Sequence, residues 1–146
     1  MPILPLRRAR RAMTLAVALC LGACAATPPE PVPFKPVPAD RIVRRGYTEP
    51  GPGRVAVDVR RARTRDLVVR FRDALVYIDG VQVTDLQNGE HVVFYLSPGL
   101  HRIAVSTQFD PIVELGFLVT ADPRYTNRAQ ITFNAAHRIM LERVAR

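Results

Sequence analysis

Between residues 55 and 141 the chain alternates apolar and polar positions in short runs separated by turn-forming pairs. Val55, Val57 and Val59 alternate with Ala56, Asp58 and Arg60, the period-two pattern of a half-buried strand. Residues 66–72 predict a second strand, with Leu67, Val69 and Phe71 on one parity and Val68 and Arg70 on the other. Next, Ala74, Val76 and Ile78 face one way and Leu75 and Tyr77 the other, so this run is apolar on both sides and reads as a central strand. Asp79-Gly80 suits a two-residue turn with both residues at positive φ, returning the chain into Val81 and Val83. After Asn88-Gly89, Val92, Phe94 and Leu96 share a face, and Pro98-Gly99 leads into Ile103 and Val105. Three turn pairs at spacings of about nine or ten residues predict an antiparallel meander over residues 74–105.

The pattern continues to the end of the chain. Pro111 marks a loop; Val113, Leu115, Phe117 and Val119 resume the alternation; Asp122-Pro123-Arg124 and Asn127 mark another loop. Ile131 and Phe133 form a short strand, residues 134–137 a turn, and Ile139 with Leu141 a closing strand. Residues 135–144 also suit a helix, because Ala, Met, Leu and Glu favour one intrinsically. Seven to nine short strands joined by tight turns imply an all-β domain, either a small antiparallel β-sandwich or an open barrel. Two strands apolar on both faces favour the sandwich.

The first residues have a different character. Arg7, Arg8, Arg10 and Arg11 precede a short apolar stretch over residues 12–21 that ends in Leu21-Gly22-Ala23-Cys24. The stretch is too short for a stable membrane span and reads as a processing signal. It resembles a bacterial lipoprotein signal with its lipobox. That resemblance implies lipidation of the Cys24 thiol, cleavage before Cys24 and acylation of the new amino terminus; Ala25 in the next position implies export to the outer membrane. An ordinary secretory signal, with a buried Cys24 near its end, is the competing reading.

Removing residues 1–23 changes the charge. The whole chain has 21 basic and 13 acidic side chains and a net charge of +8. Four of those arginines leave with the signal, so the remainder carries +4, which is weak support for a nucleic-acid partner. Cys20 leaves too, and Cys24 then stands without a disulfide partner. Residues 25–39 are rich in proline and predict an extended, disordered tether with a reach of about 45 Å. No sharply defined docking motif marks this tether for an aromatic-lined groove. Residues 40–52 form a basic approach segment with Arg41, Arg44, Arg45 and Tyr47. The expected organisation is a signal at 1–23, a lipidated tether at 24–53 and a β-sandwich at 54–146.

VYIDGVQV, LQNGEHVVFYLSPGLHRIAV and ITFNAAHRIMLE resemble domains of unknown function in small bacterial lipoproteins and, more distantly, PEGA-type surface domains. The resemblance covers about residues 55–143 and implies a transthyretin-like or immunoglobulin-like sandwich. It brings no catalytic residues onto Asp79, Gly80, Asn88, Gly89, Pro98, Gly99 or His101, which read as structural turns and a strand start. Residues 109–128 stand out as an insertion relative to that pattern.

Chemistry-bearing residues are sparse. Ser97 and Ser106 lie outside any nucleophile elbow. His91, His101 and His137 are widely spaced, and no metal site or cofactor is expected from them. His101 shares parity with Ile103 and Val105 and reads as a structural histidine entering the core. Asp66, Asp73, Asp79, Asp85 and Asp110 supply carboxylates in principle, but Asp79 is explained by its turn. The glycines are isolated beside turns and make no phosphate loop.

The most informative cluster is electrostatic. Arg60, Arg61, Arg63, Arg65, Arg70 and Arg72 fall within thirteen positions, interrupted by Asp66. If Arg70 and Arg72 share a strand face and Arg60 lies outward, they form a basic strip suited to carboxylates or phosphates. A merely solubilising surface is the alternative. The expected function is a non-catalytic, lipid-anchored module of the cell envelope, periplasm-facing at the outer membrane. Its expected partners are the membrane, through the lipid, and an envelope protein, lipopolysaccharide or peptidoglycan, with no nucleic acid. The competing expectation is an envelope enzyme or small-ligand binder with a cleft near His101 and residues 109–128.

Overall fold

The computed structural model describes residues 31–145, and the folded body runs from Pro33. Cys24 and its cleavage site lie outside the described residues. The strands are β1 (Lys35–Pro36), β2 (Val55–Arg61), β3 (Ala74–Ile78), β4 (Val81–Leu86), β5 (Glu90–Leu96), β6 (Gly99–Thr107), β7 (Asp110–Val119), β8 (Arg128–Phe133) and β9 (Ile139–Arg143), with one α-helical turn, α1 (Leu67–Arg70), and 3-10 turns at Ala39–Arg41 and Arg45–Tyr47. They form a two-layer β-sandwich. One sheet has the order β1-β5-β2-β8-β9 and the other β4-β3-β6-β7.

The alternation in the sequence decides which residues fill the space between the layers. Val57, Val59 and Phe94 come from the first sheet and Val76, Ile103 and Phe117 from the second, all fully buried. Each contributes on the order of 2 kcal/mol relative to an exposed position. β3 lies between β4 and β6, as its two apolar faces predict. Asp79 (φ 49°) and Gly80 (φ 84°) make the expected hairpin turn with both residues at positive φ.

The meander is not formed. Only β3 and β4 pair as sequence neighbours within residues 74–105; β5 joins the other sheet, and β6 returns to pair with β3. The turns at Asn88-Gly89 and Pro98-Gly99 reverse the chain while carrying it from one layer to the other. Two pairings, β1 with β5 and β2 with β8, are parallel. Residues 66–72 are not a strand either. Asp66 caps α1, its Oδ1 accepting from the Val68 N–H at 2.8 Å, and this local bond replaces a ladder partner. Arg70 and Arg72 therefore share no strand face.

The C-terminal segment is the strand β9, paired with β8, and not a helix. Pro111 lies within β7 at the edge of its sheet, beside a register shift opposite Val105 and Thr107, where a residue without an N–H is tolerated. Residues 109–128 are thus mostly a long strand followed by a loop. The sandwich begins some twenty residues before Arg54: Val37 and Tyr47 pack against the core, and the Val43 N–H donates to the Val83 carbonyl at 2.8 Å along the edge of β4.

The strand register defines two ends. Lys35 pairs with Glu90, Arg61 with Ile131, Ala74 with Leu86 and Thr107 with Asp110 at one, here the Asn88 end. Val55 with Leu96, Ile78 with Val81, Gly99 with Val119 and Ala129 with Arg143 mark the other, the His101 end.

Candidate functional site

The six arginines expected to form one strip divide into two groups. Arg61 shares the parity of Val57 and Val59 and goes inward with them, 1% exposed. Its guanidinium donates to the carbonyls of Leu86 and Val69, each at 2.8 Å, and stacks over the Phe133 ring. Burial lowers its pKa, with Asp73 and Glu90 opposing, but an arginine stays charged in any case. Arg60 donates to Asp58 at 2.6 Å and lies over Phe34. Arg72 donates to the His137 carbonyl at 3.0 Å, reaches Asp110 at 3.5 Å and covers Phe109. These three are structural.

Arg63, Arg65 and Arg70 remain together, joined by Lys35 from β1. With Thr64 and Asn88 they line an open groove of about 710 Å³ at the Asn88 end. No acidic side chain lines it. Among the described residues Lys35, Arg65 and Arg70 have no carboxylate within ion-pair distance. Arg63 donates to the Pro33 carbonyl at 2.7 Å and lies over Phe34, so it also fastens the start of the body. A smaller recess shares Arg70 and Asn88 and carries Phe71 and Asp73.

The groove is built on short bonds between turns. Asn88 accepts from the Thr64 N–H at 2.9 Å and donates back to the Thr64 carbonyl at 3.1 Å. Gly89 adopts φ 79°, and a Cβ there would collide with the Arg63 side chain. Asn88 thus lines the groove as well as making a turn, and Gly89 lies against the Arg63 side chain. Lys35 was hidden in the sequence by the proline-rich run around it. Its N–H donates to the Gly89 carbonyl at 3.0 Å and the Val37 N–H to that of His91 at 2.9 Å, while Pro36 between them needs no partner.

The histidines do not converge. Each lies against a different aspartate: His91 and Asp58 at 2.9 Å, His101 and Asp79 at 2.7 Å, His137 and Asp66 at 3.0 Å. Among the described residues no group of three or more His, Cys, Asp or Glu side chains is placed to hold a metal. At the His101 end, Arg44, Arg45, Tyr47, Arg54, Tyr95 and His101 help line a second open cleft of about 660 Å³. His101 has the expected parity but sits at the margin of the core. Its Nδ1 faces Asp79 and its Nε2 the Ser97 carbonyl at 2.9 Å. Both ring nitrogens lie within hydrogen-bond distance of protein oxygens. Residues 109–128 contribute nothing to the cleft lining. Burial raises the Asp79 pKa, but the Arg102 N–H, the His101 ring and the Arg102 charge outweigh it and hold the carboxyl below its usual range.

Compared with known proteins, the chain matches no family model, no curated protein and no solved structure. No helix among the described residues is long and apolar enough to cross a membrane.

Proposed function

We propose that the protein is a non-catalytic, lipid-anchored cell-envelope protein whose sandwich acts as an interaction module, taking anionic groups in the groove at the Asn88 end. The observation that carries this reading is the gathering of Lys35, Arg63, Arg65 and Arg70 around a cavity with no acidic lining. Guanidinium forks match the planar oxygens of phosphates and carboxylates. Lipopolysaccharide phosphates, peptidoglycan carboxylates and an acidic envelope protein all supply such groups. The Leu21-Gly22-Ala23-Cys24 segment supports the anchor.

Cross-linking and co-purification from native envelopes tests the reading, comparing the natural chain with a Lys35→Gln, Arg65→Gln, Arg70→Gln variant. Loss of captured material from the variant at unchanged folding supports it, and undiminished capture refutes it. Mass spectrometry of the mature amino terminus reads the acylation of Cys24 separately. The cleft lined by Arg44, Arg45, Arg54, Tyr47 and Tyr95 supports a second reading, a binder of small anionic ligands. Calorimetric titration with di- and tricarboxylates tests that one; absence of heat across the series removes it.

A further inference from the structure

The loop that closes the basic groove exposes three large apolar side chains within five positions. Leu67 is 69% exposed, Val68 52% and Phe71 75%, while Val69 alone turns inward. Arg65 and Arg70 bracket Leu67 and Val68, Arg70 lies over the Phe71 ring, and Lys35 and Arg63 line the same groove. An apolar tip inside a basic collar is costly in water and suited to the boundary between lipid headgroups and acyl chains, where the rings and aliphatic groups enter and the cations stay among the phosphates.

We infer that the 65–71 loop, together with Lys35 and Arg63, docks the sandwich onto an anionic lipid bilayer. This rests on reading the groove as an anion-binding surface and adds the identity of what it meets.

Two further observations favour a membrane. The chain joins the folded body at the same end, since Pro33 accepts from Arg63 at 2.7 Å and Lys35 pairs with Glu90. Pro33 is nine residues beyond Cys24, and nine extended residues reach only about 28 Å. An attachment at Cys24 would therefore hold this end of the sandwich near the bilayer. The tip is also held in place before it meets any partner. Arg61 donates to the Val69 carbonyl, Asp66 pairs with His137, and Asn88 clasps Thr64. The exposure of Phe71 and Leu67 belongs to an ordered loop, and little ordering entropy is lost on docking. Asp66 is the acid nearest the tip in sequence, and its carboxylate is engaged by the Val68 N–H and His137.

The chain contains no tryptophan, so Phe71→Trp and Leu100→Trp each introduce a single fluorescent reporter into the full chain. Leu100, at the opposite end, is 76% exposed and serves as the control. Both proteins are mixed with phosphatidylcholine vesicles with and without phosphatidylglycerol, the acyl chains carrying bromine as quencher. The expected result is several-fold stronger quenching at position 71 than at position 100 on the anionic vesicles, abolished by adding Arg65→Gln and Arg70→Gln. Equal quenching at both positions, or none at 71, overturns the proposal. Quenching at 71 that survives the arginine substitutions overturns the electrostatic collar. Inorganic polyphosphate and polyglutamate are titrated into the same proteins in parallel. Binding of either without quenching at 71 overturns membrane docking and leaves the anion groove standing, whereas absence of both overturns the two together.

Discussion

At the Asn88 end a guanidinium is buried against backbone carbonyls, and Lys35, Arg65 and Arg70 stand outside with no carboxylate at ion-pair distance among the described residues; at the His101 end a carboxylate and an imidazole share a hydrogen bond in partial solvent. Arg61 joins β2 to the last residue of β4 and to α1, so one side chain ties both sheets to the loop. Asp79 instead gathers its neighbours around a hairpin, accepting from the Arg102 N–H at 2.8 Å and from His101. A fully buried donor whose acceptors are also buried has no water to fall back on when it is lost, and a half-exposed carboxylate does. The difference separates arginines that build the fold from those that remain available at its surface.

The largest expected effect tests the buried side of that comparison. Arg61→Ala removes the guanidinium from the Leu86 and Val69 carbonyls, leaving Val69 only the backbone bond from the Arg72 N–H at 3.2 Å, and opens a cavity beneath Phe133, at a cost of about 3 kcal/mol in urea unfolding. Arg61→Lys recovers only part, because a single ammonium cannot fork between two carbonyls held apart. A loss below about 0.5 kcal/mol for Arg61→Ala would mean that the loop and β4 do not depend on it.

Gly89→Ala follows, at about 2 kcal/mol, since the backbone is at φ 79° and the new Cβ collides with Arg63. Gly80→Ala, at φ 84°, meets nothing nearer than 3.9 Å and is expected to cost less. Hydrogen exchange adds a local readout: the Lys35 and Val37 amides lose protection in Gly89→Ala and keep it in Gly80→Ala. Equal behaviour of the two variants would remove the special role given to the Arg63 contact.

At the His101 end, Asp79→Ala is expected to cost about 1 kcal/mol at neutral pH, after discounting for solvent screening. The lowered pKa of Asp79 sets the direction of its pH dependence. The unfolded chain binds the proton more readily than the folded one, so the contribution is complete above the ordinary carboxylate range and is lost as pH falls through the folded-state value. Asp79→Asn should therefore flatten the acid limb of the stability profile, and an unchanged limb would sink this assignment. The smallest stability effect belongs to Arg65→Gln with Arg70→Gln, within about 0.5 kcal/mol by thermal unfolding, because among the described residues neither side chain has an ion-pair partner to lose. A larger loss would place them among the structural arginines.

Period-two alternation made β2, β3, β5, β6 and β7 legible, because burial on one face is written directly in the order of residues. Layer assignment was not legible. Asn88-Gly89 and Pro98-Gly99 specify a reversal of direction, and a reversed chain can pair with its neighbour or cross to the other sheet. Arg61 was half legible: its parity with Val57 and Val59 points inward, while its charge suggests the surface, and the carbonyls that resolve the conflict come from distant segments. Arg63, Arg65 and Arg70 were read as basic surface and do meet around one groove, but Lys35 was concealed in a run of prolines that reads as tether. The apolar tip is illegible for a related reason. Leu67, Val69 and Phe71 fit a strand as well as they fit a capped turn, and the side chain of Asp66 decides between them through one local bond.

Pro36 lies on an outer strand and has no N–H to offer a neighbour. At the second sheet, Val43 already occupies a carbonyl along the margin of β4. Copies crowded side by side thus meet at a proline on one margin and at the protein's own chain on another, and at these places strand cannot add to strand. The same short segment that starts the fold keeps neighbouring molecules from polymerising through it.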